Sequence, residues 1–88
     1  MVNKHLTVTI TDGLDFRALV KILRIAREQK CSVVLQDING EKANANSVLE
    51  MLSLCSIVGT TLQVTIDGHN EHKTLMMIEE VFENGAGI

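Results

Sequence analysis

The chain has 88 residues, 45% of them apolar, and a formal net charge of −3, which predicts one globular domain (residues 1–88) with a single thin core. No stretch is long and apolar enough for a membrane span or a signal peptide, so we expect a cytoplasmic protein that contacts no membrane. Only 2% of the residues are aromatic, so this acidic chain has little on which bases can stack, which argues against a direct nucleic-acid partner.

The first half of the chain alternates between strand and helix patterns. Leu6, Val8 and Ile10 alternate with threonines, which predicts a half-buried strand. From residue 16 to residue 29 apolar residues recur at helical spacing. The face predicted to be buried consists of Phe16, Leu19, Val20, Ile22, Leu23 and Ala26. Val33 and Leu35 then alternate as a second strand, and Asn39-Gly40 predicts a hairpin to a short third strand. In this third strand the small residues Ala43 and Ala45 face inward.

The second half begins with a helix signal. Ser47 and Glu50 fit a capping box, in which each side chain satisfies a backbone donor, and the helix that follows ends near Leu54. Gly59 starts a turn into a strand over residues 60–67, whose inward residues are Leu62, Val64 and Ile66. Asn70 is predicted to cap a last helix, before a fraying tail at residues 85–88. The core face of this helix includes Leu75, Ile78, Val81 and Phe82.

The order of elements is therefore β-α-β-β-α-β-α. Because both the strands and the helices are apolar on one side only, they predict an α+β fold with helices packed on one face of an antiparallel sheet.

A strand-to-helix turn over residues 11–18 has the features of an anion site. Gly13 gives the backbone freedom to turn, and Asp15 lies at or beside the N-cap of the helix. Unpaired N–H groups, the positive end of the helix dipole and Arg17 converge there. Asp15, however, places a negative charge in the middle of this site.

The turn resembles the hallmark of the histidine-containing phosphocarrier (HPr) family of the bacterial sugar phosphotransferase system, Gly-[Leu/Ile]-His-x-Arg-Pro-Ala. Here it reads Gly13-Leu14-Asp15-Phe16-Arg17-Ala18-Leu19, with Asp15 in place of the phosphorylated histidine. A second landmark runs from Asn39-Gly40 to Ser47, with one additional residue before it. We expect this residue, near Asp37 and Ile38, to lengthen the hairpin or form a bulge, because a shifted strand would turn its core face outward. The resemblance implies an open-faced sandwich with three helices on one face of a four-stranded antiparallel sheet.

Three interpretations of Asp15 are open. It is an N-cap, which alone explains the residue, or a permanent mimic of phosphohistidine, or a phosphoacceptor that forms an acyl phosphate. Acyl phosphate chemistry usually uses a metal ion, and no acidic cluster surrounds Asp15 in the sequence. Without the imidazole we expect no histidine phosphotransfer, and therefore a regulatory or adaptor protein rather than an enzyme.

Ser47 matches the serine that HPr kinase/phosphorylase modifies in Gram-positive members of the family. A phosphate there would meet unpaired N–H groups at a helix N-terminus, although the nearby Glu50 carboxylate would repel it. The chain is similar to the catabolite-repression HPr-like proteins, which also lack the histidine. This similarity implies a phosphoprotein that acts as corepressor of a LacI-type transcriptional regulator.

Two surfaces are candidates for protein docking. Arg17, Lys21 and Arg24 form one stripe on the first helix, which is either a solvated face or a binding face. The resemblance implies that this basic face, together with Arg27, docks acidic partners. It also implies an exposed apolar docking surface made of Val48, Leu49 and Leu52, whose spacing equally fits a buried helix face.

The cysteines and histidines predict neither a metal nor a cofactor. Cys31 and Cys55 have no partner at metal or redox spacing, so we expect two reduced thiols. His69, Glu71 and His72 lie close in sequence without a fourth ligand, as ordinary surface residues do.

Overall fold

Four antiparallel strands form an open sheet that carries three helices. The structure is a computed structural model that describes residues 1–9, 14–55 and 59–85, except for the side chain of Cys55. The elements, in chain order, are β1 (Val2–Thr7), α1 (Phe16–Glu28), β2 (Ser32–Gln36), β3 (Lys42–Asn44), α2 (Val48–Cys55), β4 (Thr61–Asp67) and α3 (Glu71–Asn84). The predicted order and fold class are confirmed. No helix in the described ranges is long and apolar enough to cross a membrane.

The strand order in the sheet is β1-β4-β2-β3, so β4 lies between β1 and β2. Leu6 of β1 faces Leu62 of β4, and Leu35 of β2 faces both Val64 of β4 and Ala43 of β3. These residues are buried, whereas their neighbours on the opposite face are more exposed and, apart from Val34, polar. The alternation predicted from the sequence is therefore the alternation between the core and the open face of the sheet.

The first strand starts earlier than its apolar pattern predicts. It runs from Val2, and Val8 continues its ladder beyond the last strand residue, because its N–H donates to the Thr60 carbonyl at 2.9 Å and its carbonyl accepts from the Gly59 N–H at 2.8 Å. Leu6 and Val8 are buried as predicted. Ile10 lies outside the described residues.

Helix α1 packs its apolar stripe into the core but leaves its first residue outside. Leu19 and Ile22 are fully buried, whereas the prediction that Phe16 is buried is wrong, because its side chain is 60% exposed. Helical side chains point back toward the N-terminus, so the side chain of the first helical residue projects past the end of the helix. Val20 and Leu23 are half-buried. The helix ends at Glu28, and Gln29 is its C-cap.

The loop between β2 and β3 contains Asp37 and Ile38, near which the additional residue was predicted. Pairing continues to Gln36 and Lys42, and the Asp37 N–H donates to the Glu41 carbonyl at 2.9 Å. Inside this closing pair the Gly40 N–H donates to the Asp37 carbonyl at 3.1 Å, with Gly40 in the left-handed region (φ 85°). These are features of a three-residue hairpin loop with a glycine bulge.

Helix α3 begins without the predicted side-chain cap. Asn70 occupies the N-cap position, but its side chain makes no capping hydrogen bond, so that prediction is wrong. The Glu71 carboxylate instead accepts from the Gly68 N–H at 3.4 Å and lies 2.8 Å from the N-terminal ammonium of Met1. At its other end the helix is capped by Gly85 (φ 68°), whose N–H donates to the Val81 carbonyl; residues 86–88 of the predicted tail lie outside the described residues.

The core face of α3 agrees with the prediction and adds one polar residue to it. Ile78, Val81 and Phe82 are buried and Leu75 is half-buried. Thr74 is also fully buried, and its hydroxyl lies 3.3 Å from the thiol of Cys31, which is free and buried. A buried hydroxyl with a hydrogen-bonding partner avoids the cost of an unsatisfied polar group.

Candidate functional site

Asp15 is the N-cap of α1. Its backbone is extended (φ −84°, ψ 178°), and its Oδ1 accepts a hydrogen bond from the Ala18 N–H at 2.9 Å. This bond, and then the nearby Arg17 guanidinium, lower the pKa of the Asp15 carboxyl below its usual value, because both favour the charged form. The Ala18 N–H at the start of the helix therefore already binds a carboxylate that belongs to the chain.

Arg17 turns back toward Asp15 rather than toward open solvent alone. Its Nη2 atom lies 3.3 Å from Asp15 Oδ2, and both side chains are exposed. The predicted convergence of an arginine and helix N–H groups is thus present, and Asp15 is at its centre. Gly13, the other predicted part of this turn, lies outside the described residues, whereas Leu14 is buried.

The basic residues of α1 border a shallow groove. Arg24 and Arg27 are exposed, and Lys21 is half-buried. Between α1 and α3 there is an open depression of about 660 Å³, which we call the α1–α3 groove. It is lined by Phe16, Arg17, Val20, Lys21, Arg24, Ile25 and Glu28 of α1 and by Met77 of α3. The structure thus brings Arg17, Lys21 and Arg24 to one groove, and Arg27 is not among its lining residues.

Two members of this groove are not evident from the sequence. Phe16 has the spacing of a core residue, and its exposure follows from its place at the helix end. Met77 has no distinguishing sequence signal, because its proximity to α1 depends on how α3 packs against that helix.

Ser47 and Glu50 each accept a hydrogen bond from a backbone N–H, but the two do not form the predicted reciprocal capping box. The Ser47 hydroxyl accepts from the Glu50 N–H at 3.3 Å. The Glu50 carboxylate accepts from the Asn44 N–H at 3.0 Å, whereas the Ser47 N–H donates to the Asn44 carbonyl. Glu50 therefore joins α2 to the end of β3, which a local sequence motif does not predict.

Of the three apolar residues predicted to form a docking surface on α2, one projects outward. Leu49 is 80% exposed. Val48 and Leu52 are partly buried and pack against the core, next to the fully buried Met51. Of the two interpretations, the exposed docking surface applies to Leu49 and the buried helix face to Val48 and Leu52.

His69, Glu71 and His72 lie around the start of α3. His69 and His72 are exposed, and Glu71 faces the N-terminal ammonium. Among the described residues no group of three or more histidines, cysteines or carboxylates is placed to hold a metal ion.

Comparison with known proteins agrees with this fold. Residues 2–84 match the family model described as PTS HPr component phosphorylation site. The phosphocarrier protein HPr of Xylella fastidiosa is 33% identical, over 96% of this chain and 93% of that protein. HPr-C-His from Thermoanaerobacter tengcongensis superposes with a TM-score of 0.85 at 19% identity, covering 100% of this chain and 98% of that one. The catabolite repression protein Crh of Bacillus subtilis superposes with a TM-score of 0.71 at 25% identity, covering 97% of both chains. The chain therefore belongs to the HPr family of phosphotransferase-system phosphocarrier proteins.

Proposed function

We propose that this HPr-family protein is a regulatory adaptor that does not carry a phosphoryl group at residue 15. The observation that supports this function is the state of Asp15. Its carboxylate caps α1 through the Ala18 N–H and pairs with Arg17, so it fills the site at which a carrier would hold phosphate.

The chemistry of the carboxylate also supports this proposal. A phosphoryl acceptor must offer a lone pair, but the oxygens of Asp15 already accept hydrogen bonds that hold its pKa down, and this lowers their nucleophilicity. An acyl phosphate would also bring two or more negative charges together, which is usually offset by a metal ion. A phosphoacceptor role of Asp15 is the alternative, which phosphoryl transfer from phosphoenolpyruvate distinguishes from the adaptor.

A permanent phosphohistidine mimic is consistent with the same geometry. A phosphate at a helix N-terminus would use backbone N–H groups and an arginine, which are the partners that Asp15 now has. In this proposal Asp15 both caps the helix and keeps the site negatively charged, so a partner meets one fixed state of the adaptor.

We further propose that Ser47 is the regulated residue of this cytoplasmic adaptor. Its hydroxyl lies at the N-terminus of α2, where a phosphate would be favoured by the helix dipole. The similarity to Crh supports a role in catabolite repression, with HPr kinase/phosphorylase and a LacI-type regulator as candidate partners.

Phosphoryl transfer from phosphoenolpyruvate tests the adaptor directly. We expect no label on the parent chain after incubation with labelled phosphoenolpyruvate, the first phosphotransferase enzyme and Mg²⁺, because residue 15 has no imidazole. The Asp15→Asn variant is the matched control for a carboxylate, and an ordinary HPr shows that the enzyme is active. A hydroxylamine-labile label on the parent that Asp15→Asn abolishes would establish the phosphoacceptor and refute the adaptor. Asp15→His is expected to restore little transfer, because Ala18 and Leu19 also differ from the proline and alanine of the family hallmark.

A second candidate function is a phosphorylation-independent binding module that uses the basic face of α1. It is favoured by the exposed Arg24 and Arg27 and by the groove beside them. The two functions differ in one respect, since binding by such a module would not change when Ser47 is phosphorylated.

A further inference from the structure

We propose that the open face of the sheet binds a neutral polyhydroxylated molecule of the size of one sugar ring. The site is a pocket of about 220 Å³ beside the loop between β2 and β3, which we call the open-face pocket. Its lining residues are His5 of β1, Gln36 of β2, Asp37 and Ile38 of the loop, and Thr61 and Gln63 of β4. This proposal goes beyond the adaptor function and does not depend on it, because Asp15 and Ser47 begin helices, which cover the other face of the sheet.

Three polar side chains of the open-face pocket form one row across the sheet. Gln63 in β4 lies directly opposite His5 in β1 and directly opposite Gln36 in β2. Side chains of directly opposite residues point to the same face of a sheet, with Cβ atoms about 5 Å apart. The next residues along these strands, such as Leu62 and Leu35, are buried, so the row lies on the open face. One small ligand can therefore contact an imidazole and two amides at once.

The side chains of this row are available to a ligand. No hydrogen bond or ion pair to another described residue occupies the side chain of His5, Gln36 or Gln63. Each glutamine amide has two N–H donors and an oxygen that accepts, and a neutral imidazole has one donor and one acceptor. Hydroxyl groups also both donate and accept, so the row can satisfy several hydroxyls of one ligand.

The walls of the pocket are held in place before a ligand binds. The Thr61 hydroxyl shares a hydrogen bond of 2.9 Å with the Thr7 hydroxyl. In the loop, Asp37 Oδ1 accepts from the N–H groups of Asn39 and Glu41, each at 2.9 Å. These bonds lower the entropic cost of ordering the site when a ligand binds.

Ile38 gives the pocket an apolar wall. It follows Asp37 in the loop, and its side chain is 96% exposed. Covering an exposed apolar side chain with apolar atoms of a ligand is favourable. A saturated sugar ring carries C–H groups as well as hydroxyls, so it can cover Ile38 while its hydroxyls contact the polar row.

The charge and size of the pocket select against other ligand classes. Among the described residues that line it there is no lysine or arginine, and the one carboxylate is that of Asp37. Lys42 lies opposite Gln36 on β3 but is not a lining residue. A phosphate group would therefore meet a like charge without a fixed cation to offset it. The volume is also below the roughly 300–1,000 Å³ of pockets for drug-sized ligands, which favours a single ring.

Nuclear magnetic resonance of the ¹⁵N-labelled full chain tests the proposal. The probes are D-glucose, D-galactose and D-mannose, each added to about 50 mM, and the 6-phosphate of each sugar is the charged control. For at least one neutral sugar we expect saturable shifts with a dissociation constant in the millimolar range. The shifts should lie in the backbone amides of residues 5, 36–38 and 61–63 and in the side-chain amides of Gln36 and Gln63. The 6-phosphate of that sugar should bind at least about tenfold more weakly.

Two pairs of matched variants locate the site. Gln63→Thr and Asn3→Thr each replace an amide side chain on the open face by threonine, but Asn3 lies outside the pocket. Ile38→Ser and Leu49→Ser each remove an exposed apolar side chain, but Leu49 lies on α2. Gln63→Thr and Ile38→Ser should each weaken sugar binding by at least about fivefold, whereas the two control variants should leave it unchanged. None of the four residues is buried, and circular dichroism checks that each variant is folded.

Several results would overturn the proposal. They are absence of a saturable shift with all three sugars, equal or tighter binding of the 6-phosphate, shifts centred on α1 or α2, and unchanged sugar binding by Gln63→Thr and Ile38→Ser. A loss of binding in either control variant would also contradict it. The outcome is independent of the adaptor test, because a phosphoryl label on Asp15 would refute the adaptor without changing sugar binding. Absence of sugar binding would likewise leave the label experiment unaffected.

Discussion

Asp15 links the proposed function to the acid stability of the domain. Its pKa is lowered first by the Ala18 N–H and then by Arg17, so the carboxylate stabilises the folded state. For a carboxyl group of lowered pKa this stabilisation is complete above the unfolded-state pKa, near 3.8, and it is lost as the pH falls through the folded-state pKa. The stabilisation by Asp15 therefore changes with pH only under acid conditions and is constant near neutral pH.

The Asp15→Asn variant isolates this contribution. The amide keeps an acceptor for the Ala18 N–H, because asparagine caps helices about as well as aspartate, but it has no charge for Arg17. We expect the difference in unfolding free energy between the parent and this variant to shrink as urea titrations are moved from about pH 5 to about pH 2. Other carboxylates, including Glu71, affect both proteins equally. A difference that does not change with pH would show that the charge of Asp15 has no role in stability.

Lys30 is the residue at which a single substitution is expected to stabilise the protein. Among the described non-glycine residues only Lys30 has a positive φ, 55°. It follows the C-cap of α1 in a left-handed turn, which is closed by the Cys31 N–H donating to the Ala26 carbonyl at 3.1 Å. Glycine adopts this conformation without the strain of a Cβ atom. We expect Lys30→Gly to raise the unfolding free energy by up to about 1 kcal/mol, net of the entropy that glycine adds to the unfolded chain.

Lys30→Ala is the matched control for this substitution. It also removes the charged side chain but keeps the Cβ atom and the strain. Urea unfolding should therefore rank the glycine variant above the alanine variant. The opposite order would mean that the left-handed turn is not strained.

At the scale of the element, α2 depends on its caps more than the other helices. It has eight residues, and short helices owe much of their stability to caps and tertiary contacts. We expect Ser47→Ala to lower the unfolding free energy by about 1 kcal/mol, and Ser47→Asp to fold about as well as the parent because it keeps an acceptor at the favourable end of the dipole. Thermal unfolding measures both.

A phosphorylation assay distinguishes a Ser47 that only caps α2 from a Ser47 that is also a regulatory phosphorylation site. If Ser47 is regulated, a kinase active on an ordinary HPr should label the parent, and Ser47→Ala should abolish the label. Glu50→Ala removes a nearby negative charge and should increase labelling, although it also leaves the Asn44 N–H without its acceptor. Ser47→Asp is not a full substitute, since phosphate is larger and carries more charge. If neither the parent nor Glu50→Ala is labelled, Ser47 is a cap without a switch.

At the scale of the whole molecule, the architecture was predictable because burial is one-sided throughout. Period-two alternation in β4, for example, places Leu62 and Val64 in the core wherever its neighbours lie, so local pattern and global fold agree. The errors lie at helix ends. The exposure of Phe16 and the missing cap bond of Asn70 depend on where α1 and α3 begin relative to the core, and this is decided by packing rather than by spacing.

In the candidate site, contacts between residues close in sequence were predictable, whereas contacts between separate elements were not. Asp15 and Ser47 cap helices through bonds three residues away, which sequence motifs encode. The bond of Glu50 to Asn44 and the place of Met77 in the α1–α3 groove join separate elements, so no local pattern contains them.

The hydrogen bond between Asp15 and Ala18 has a consequence for the information that the protein can transmit. A phosphohistidine forms and decays, so an ordinary carrier reports the traffic of phosphoryl groups through the cell. In the adaptor that we propose, the Asp15 carboxylate is bound within its own helix and is not phosphorylated, so it keeps one state. The surface around Asp15 in this adaptor therefore does not change when the flow of phosphoryl groups from sugar uptake changes. The fraction of partner molecules that are bound then depends on the concentration of the adaptor. Phosphorylation of Ser47 is the second signal that could change this binding.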